Sequence, residues 1–252
     1  ADCHDPVRCS LLAGNLCGLN IENTGLTLRE TFLEENGPGE VAFLEANSRP
    51  VLIEGSVFAR NNLASVGRPR IITLRSGQTR IAYSTFADNL TDATGWTQYV
   101  LGLEPADGSR DLTFVGNLVA ETAGVLVDTY DSPAMWDVWN ELFDCLIVHD
   151  GTSLPPVSTG TQILPGSSPY FIDRAGHDYH LNADSAPIDI CDTLNFAPGL
   201  DIDHQTRGYE DVTLPNWYGP YDLGADERVP ARLLFADGFE TGNTSRWSAT
   251  TP

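Results

Sequence analysis

Five segments of this chain repeat one pattern of side chains, and an internal repeat restricts a fold more tightly than composition does. They are LTLRETFLEENG from Leu26, VLIEGSVFARNN from Val51, TRIAYSTFADNL from Thr79, DLTFVGNLVAET from Asp111 and NELFDCLIVHDG from Asn140. Aligned, they give an apolar column of Leu28, Ile53, Ile81, Phe114 and Leu142, and five residues on a second of Leu33, Phe58, Phe86, Val119 and Ile147. Between the two runs a column of mostly small polar residues: Thr31, Ser56, Ser84, Asn117 and Cys145. Beyond the second stand Asn36, Asn61, Asn89, Thr122 and Asp150. The steps are 25, 28, 33 and 28 residues, as loops of varying length between equivalent strands would give.

Each unit carries a further short strand of alternating character: Ala42 and Leu44, Ile72 and Leu74, Leu101 and Leu103, Val125 and Val127. Turn signals NSRP, RSGQ, ADGS and DSPA follow them. Two or three short strands per unit, with no amphipathic helical pattern, predict an all-β chain whose units stack at about 4.8 Å and share one core. Stacked asparagines fit such a turn, because a side-chain amide donates to one neighbour and accepts from the other. A β-sandwich also has many short strands, but gives no reason for Asn to recur at one offset.

These ladders resemble the right-handed parallel β-helix proteins of the pectate-lyase-like class, over roughly residues 20–150. The C-terminal third reads DYHLNADSAPIDICD from Asp178, DIDHQTRG from Asp201 and YDLGADE from Tyr221, which is similar to the C-terminal module of secreted bacterial β-helix proteins of the choice-of-anchor Q type. Ala186 and Pro187 invert that family's Pro-Ala, and Cys191 and His204 stand where it has Gly. The segment FADGFETGNTSRWS from Phe235 resembles a tail found on secreted proteins of high-GC proteobacteria. Both resemblances imply export to the cell surface or medium, and neither implies a reaction. The expected organisation is a Cys-containing N-terminal cap or remnant of earlier coils (1–25), parallel β-helix coils (26–169), C-terminal coils and a cap over the open end (170–228), and a tail (229–252).

Net charge narrows the partners. The 35 acidic residues face 14 cations, all Arg, for a net −21, and such a field repels phosphate backbones and anionic membranes. No apolar run has the roughly 20 residues of a membrane span, and no basic-then-apolar signal segment opens the chain. Five cysteines at spacings that fit no zinc ribbon or CxxC motif leave two readings: one or two disulfides in an oxidising compartment, or buried free thiols. A mature secreted chain is the preferred one.

Candidate chemistry sits in three places. In register, the residues after Leu44, Leu74, Leu103 and Val127 form an outward column of Glu45, Arg75, Glu104 and Asp128. Close stacking of Glu104 on Asp128 would hold one of them protonated, as hydrolysis by a carboxylate pair requires, with Arg75 beside Glu104; a solvated ion ladder is the plainer account. Trp96 and Tyr99, in the loop DATGWTQY, offer aromatic faces for sugar rings or pack over a turn. Asp189, Asp192, Asp201, Asp203 and Asp222 supply hard oxygens suited to Ca²⁺, or acceptors for turn amides; no cofactor is required by any motif. Arg68, Arg70, Arg75, Arg80 and Arg110 make a modest basic patch or simply balance charge, and His177, His180 and His149 carry little signal. The expected function is a secreted or cell-surface scaffold that binds carbohydrate or another surface component without catalysis. The alternative is a polysaccharide-cleaving hydrolase or lyase working along the groove.

Overall fold

The computed structural model describes residues 7–8, 11–13, 19–22, 24–36, 42–61, 63, 69–90, 97–104, 110–121, 123–129, 139–149, 158–159, 162–164, 170–192, 198–211, 213 and 219–229. Among them every regular element is a strand, and no helix is long and apolar enough to cross a membrane. Two parallel sheets carry the repeats. The first holds β1 (Val7–Arg8), β4 (Leu26–Arg29), β6 (Ala42–Glu54), β8 (Arg70–Ala82), β11 (Arg110–Val115), β14 (Asn140–Asp144) and β16 (Ser158–Thr159), paired in that order. The second holds β2 (Leu11–Ala13), β5 (Phe32–Glu34), β7 (Val57–Ala59), β9 (Thr85–Ala87), β12 (Leu118–Ala120), β15 (Ile147–His149) and β17 (Gln162–Leu164), also in chain order. The chain therefore alternates between the sheets and moves one strand along each at every repeat. β6 and β8 are long because their first halves also pair with β3 (Leu19–Glu22) and β10 (Tyr99–Leu103); β10 in turn pairs with β13 (Val125–Asp128).

Two corners explain the polar columns. Between the sheets the chain turns on two residues, the first with positive φ: Glu30, Gly55, Tyr83, Gly116 and Cys145. The second residue is Thr31, Ser56, Ser84 or Asn117. The Ser56 hydroxyl accepts the Thr31 N–H at 3.3 Å and donates to the Glu54 carbonyl at 3.0 Å; Ser84 accepts from Ser56 N–H and donates to Ala82 in the same way. Asn117 Oδ1 accepts the Ser84 N–H at 2.9 Å. A left-handed conformation costs about 1–2 kcal/mol for most residues, so three non-glycines here need these bonds around them. Gly116 meets a further constraint, since a Cβ there would lie 2.8 Å from the Tyr83 ring.

After the second sheet Glu35, Arg60 and Asp88 repeat the left-handed step, and the asparagines follow. Asn61 Oδ1 accepts from both the backbone N–H and the side-chain amide of Asn36 at 3.0 Å, and Asn89 Oδ1 accepts from Asn61 at 3.1 and 2.7 Å. In the described ladder Glu121 takes the place beyond Asn89. Its carboxylate accepts from Asn89 N–H, Asn89 Nδ2 and Leu90 N–H at 2.6–2.9 Å. Thr122 and Asp150, the expected members, lie outside the described residues.

The core follows the first four repeats as expected and slips by one at the fifth. Phe58 pairs with Phe86 in the second sheet and stacks on it at 4.9 Å; Phe86, Phe114 and Phe143 continue the row at 5.8 Å spacing. Phe143 faces Phe114, whereas Leu142 faces Thr113 and is 38% exposed. Val148 likewise takes the place assigned to Ile147, and buried Leu146 that assigned to Cys145. The sequence alignment matched an apolar Leu to an apolar column, but backbone pairing sets the parity and puts the bulkier Phe inside. Burial of each such side chain contributes about 1.5–3 kcal/mol.

The described residues between 170 and 229 form a loop-rich module with one antiparallel strand pair among them, β18 (Phe171–Asp173) and β19 (Asp178–Leu181). Its apolar side chains Tyr170, Phe171, Tyr179, Ile188, Ile190 and Leu223 join a second core with Val57, Ala59, Ala87, Leu118 and Ala120 of the second sheet. Its polar contacts run lengthwise along the repeats. His204 meets Glu30 at 3.3 Å, Arg60 Nη1 donates to the Tyr179 hydroxyl at 2.7 Å, and Arg174 donates to Asp88 at 2.6 Å. Gly224 N–H donates to Gly116 O, and a disulfide joins Cys145 to Cys191. The segment expected to cap an open end thus lies against the side of five successive repeats. The column of Ala59, Ala87 and Ala120, in direct register, is what lets it approach.

Candidate functional site

The expected carboxylate column is built differently from its sequence reading. Leu44, Leu74 and Leu103 do align, but Val127 pairs with Leu101, so Asp128 faces Gly102 and not Glu104. Arg70, at the start of β8, lies across Gly102, where a Cβ would overlap its Cδ. Its Nε and Nη2 donate to buried Asp128 Oδ2 at 3.0 and 2.8 Å, and its Nη1 lies 3.8 Å from Glu104 Oε1. The two carboxylates are bridged by a guanidinium. Arg75, expected beside Glu104, is the extra residue where Leu74 faces Leu44 and Ser76 faces Glu45, and it is exposed on that bulge. Tyr99 is half-buried between Arg70 and Val125 on neighbouring strands, and Trp96 lies outside the described residues.

The aspartates of the C-terminal module divide in two. Asp189, Asp201 and Asp222 are buried and accept backbone N–H groups of the loops. Asp222 accepts from Asp189 and Arg228 at 2.7 Å, Asp201 from Asp203, Gln205 and Glu227, and Asp189 from Asp211. Burial raises all three from the ordinary Asp value, Asp222 well above it with the Glu227 charge adding to the effect. These side chains stand in for the sheet ladder that such loops lack. Asp192 and Asp203 are exposed.

A different set converges. Among the described residues, one donor atom each from His180, Asp203 and Asp226 lies within 4.8 Å of the others. They line a cavity of about 400 Å³ bordered also by Ile172, Asn182, Gln205 and Arg228. Alternation along β19 places Asp178 and His180 on one face, and Asp178 Oδ1 meets His180 Nδ1 at 2.5 Å. His180 Nε2 lies 3.0 Å from Asp203 Oδ2. Burial acts to lower the imidazole and is outweighed by the bond to Asp178, the Asp226 charge and the contact with Asp203, which together raise it to about 9. Asp226 is pushed up to about 6 by burial, while the Leu181 N–H and the His180 charge pull the other way. Asp178-Tyr-His180 on a strand was the signal available in the sequence; the approach of Asp203 and Asp226, 23 and 46 residues on, was not. No protein-family model and no curated protein matches this chain.

Proposed function

We propose that the repeats wind as a right-handed parallel β-helix and that the protein is a secreted or cell-surface scaffold that binds an extended carbohydrate, without catalysis, on the outer face of the first sheet. Parallel strands joined through a second sheet favour this winding, because such crossovers are right-handed in roughly 98% of cases. The observation that carries the binding reading is a row of outward side chains in strict register: Thr27, Leu52, Arg80, Thr113 and Leu142, each half-buried or exposed. At about 4.8 Å per strand it is a ribbon of interspersed polar and apolar groups. Corners of two residues bound it on one side, so no long loop walls it there. Arg70 bridging Asp128 and Glu104 removes the mutual repulsion that a carboxylate acid needs, which supports a non-catalytic role over a glycosidase. The Cys145–Cys191 disulfide supports residence in an oxidising compartment.

A panel of polysaccharides tests this. Retention on at least one, weakened at least fivefold by Arg80→Ala or Leu142→Ala, with no new reducing or unsaturated ends, is expected. Release of such ends, abolished by Glu104→Gln, would install the enzymatic reading instead.

A further inference from the structure

We propose that His180, Asp203 and Asp226 form a binding site for one divalent first-row transition ion, with Zn²⁺ the best-matched probe. The chemistry of the donors points there. One imidazole nitrogen and two carboxylate oxygens are the ligand types of Zn²⁺, which binds them at about 2.0–2.2 Å. In the tetrahedral geometry that Zn²⁺ favours, such ligands lie about 3.4 Å apart, so the 4.8 Å spread closes with side-chain movements of about 1–1.5 Å.

Each donor is also positioned from behind. Asp178 Oδ1, at 2.5 Å, holds the Nδ1–H of His180, so that release of the other imidazolium proton to an incoming cation leaves the lone pair on Nε2. Nε2 is itself shielded from solvent and makes no hydrogen bond of acceptable angle, although Asp203 Oδ2 is 3.0 Å away. Asp226 Oδ2 accepts the Leu181 N–H at 2.7 Å, which aims its carboxylate along β19. Asp201, accepting the N–H groups of Asp203 and Gln205, fixes the turn that carries Asp203. Three protein ligands beside an open cavity leave a coordination position for water or a small anion. The mixed nitrogen and oxygen set argues against Ca²⁺, which takes six to eight oxygens.

The test is calorimetric titration of the chelator-stripped full chain with Zn²⁺, Mn²⁺ and Ca²⁺ in turn, alongside Co²⁺ titration followed by visible absorption. Expected are one Zn²⁺ per chain, a Co²⁺ spectrum displaced by Zn²⁺, and weak Ca²⁺ binding. His180→Gln and Asp203→Asn, both on partly exposed side chains, should each weaken Zn²⁺ at least tenfold while leaving the melting temperature of the metal-free protein within a few degrees. Asp178→Asn should weaken it about tenfold by releasing the ring. His177→Ala and His204→Ala should leave it unchanged. Absence of saturable Zn²⁺ binding, or binding that survives His180→Gln and Asp203→Asn, overturns the site, and so does Ca²⁺ binding as tight as Zn²⁺.

Discussion

Arg70 and Asp128 are both buried, and each is tolerable there because of the other. Removing water from a lone charge costs several kcal/mol, and the pair offsets this in part through two hydrogen bonds from the guanidinium to one carboxylate oxygen. Asp128→Asn should therefore lower stability by about 3 kcal/mol, with Glu104 at 3.8 Å supplying partial relief. The double variant Arg70→Met with Asp128→Leu should recover most of that loss in urea unfolding. A double variant no more stable than Asp128→Asn would show that the pair specifies the register of β10 against β13 and not only their charge balance. Gly102 belongs to the same arrangement, since any side chain there displaces the Arg70 stem.

At the scale of the element, the corners hold the strands in register through side chains as much as through backbone. Asn61 is the middle rung, bonded on both sides and to the Leu33 carbonyl. Asn61→Leu leaves several buried donors and acceptors without partners and should cost at least about 3 kcal/mol, at about 1–3 kcal/mol per orphaned group. Asn36→Leu, at the end of the described ladder, should cost less; equal losses would mean that the rungs are independent. Glu121 closes the other end. Burial pushes its carboxyl up to about 7 from an ordinary 4.5, against the three N–H groups that favour its anion. The folded state holds the proton more tightly than the unfolded one, so the contribution is full below pH 4.5 and is lost as pH rises through 7. Over that interval the protein should lose up to roughly 3 kcal/mol relative to Glu121→Gln, which does not titrate. Unfolding free energies of both proteins at pH 5 and pH 7.5 check the sign.

Across the whole molecule, the C-terminal module and the repeats stabilise each other. Among its described residues the module has one short strand pair of its own, and its buried aspartates fix the loops around it. The repeats in turn carry an outer alanine and valine surface that the module covers. Among the described residues a disulfide ties them, between Cys145 and Cys191 at a sequence separation of 46. Closure of a loop that long stabilises by about 4 kcal/mol on the chain-entropy account. Reduction should lower the melting temperature and expose the module to protease before the repeats; simultaneous loss of both would show that the interface alone sets their cooperativity.

Columns of like residues were legible in the chain because stacking imposes the same environment at the same offset in every repeat. Leu28, Ile53, Ile81 and Phe114, the Phe58–Phe86 pair, the hydroxyl corner and the Asn36–Asn61–Asn89 ladder were all readable on that ground. Where the repeat changes, local pattern loses its hold. Leu142 and Phe143 are both apolar, and only pairing with Thr113 and Phe114 decides which is inside. Nothing at its offset singles out Glu121, whose carboxylate accepts from Asn89. The meeting of Arg70 with Asp128, of Cys145 with Cys191, and of His180 with Asp203 and Asp226 joins residues 23 to 58 positions apart. No period in the sequence encodes those distances. They are fixed by how strands register and by where a loop-rich module comes to rest on a sheet, which is a property of the packed chain.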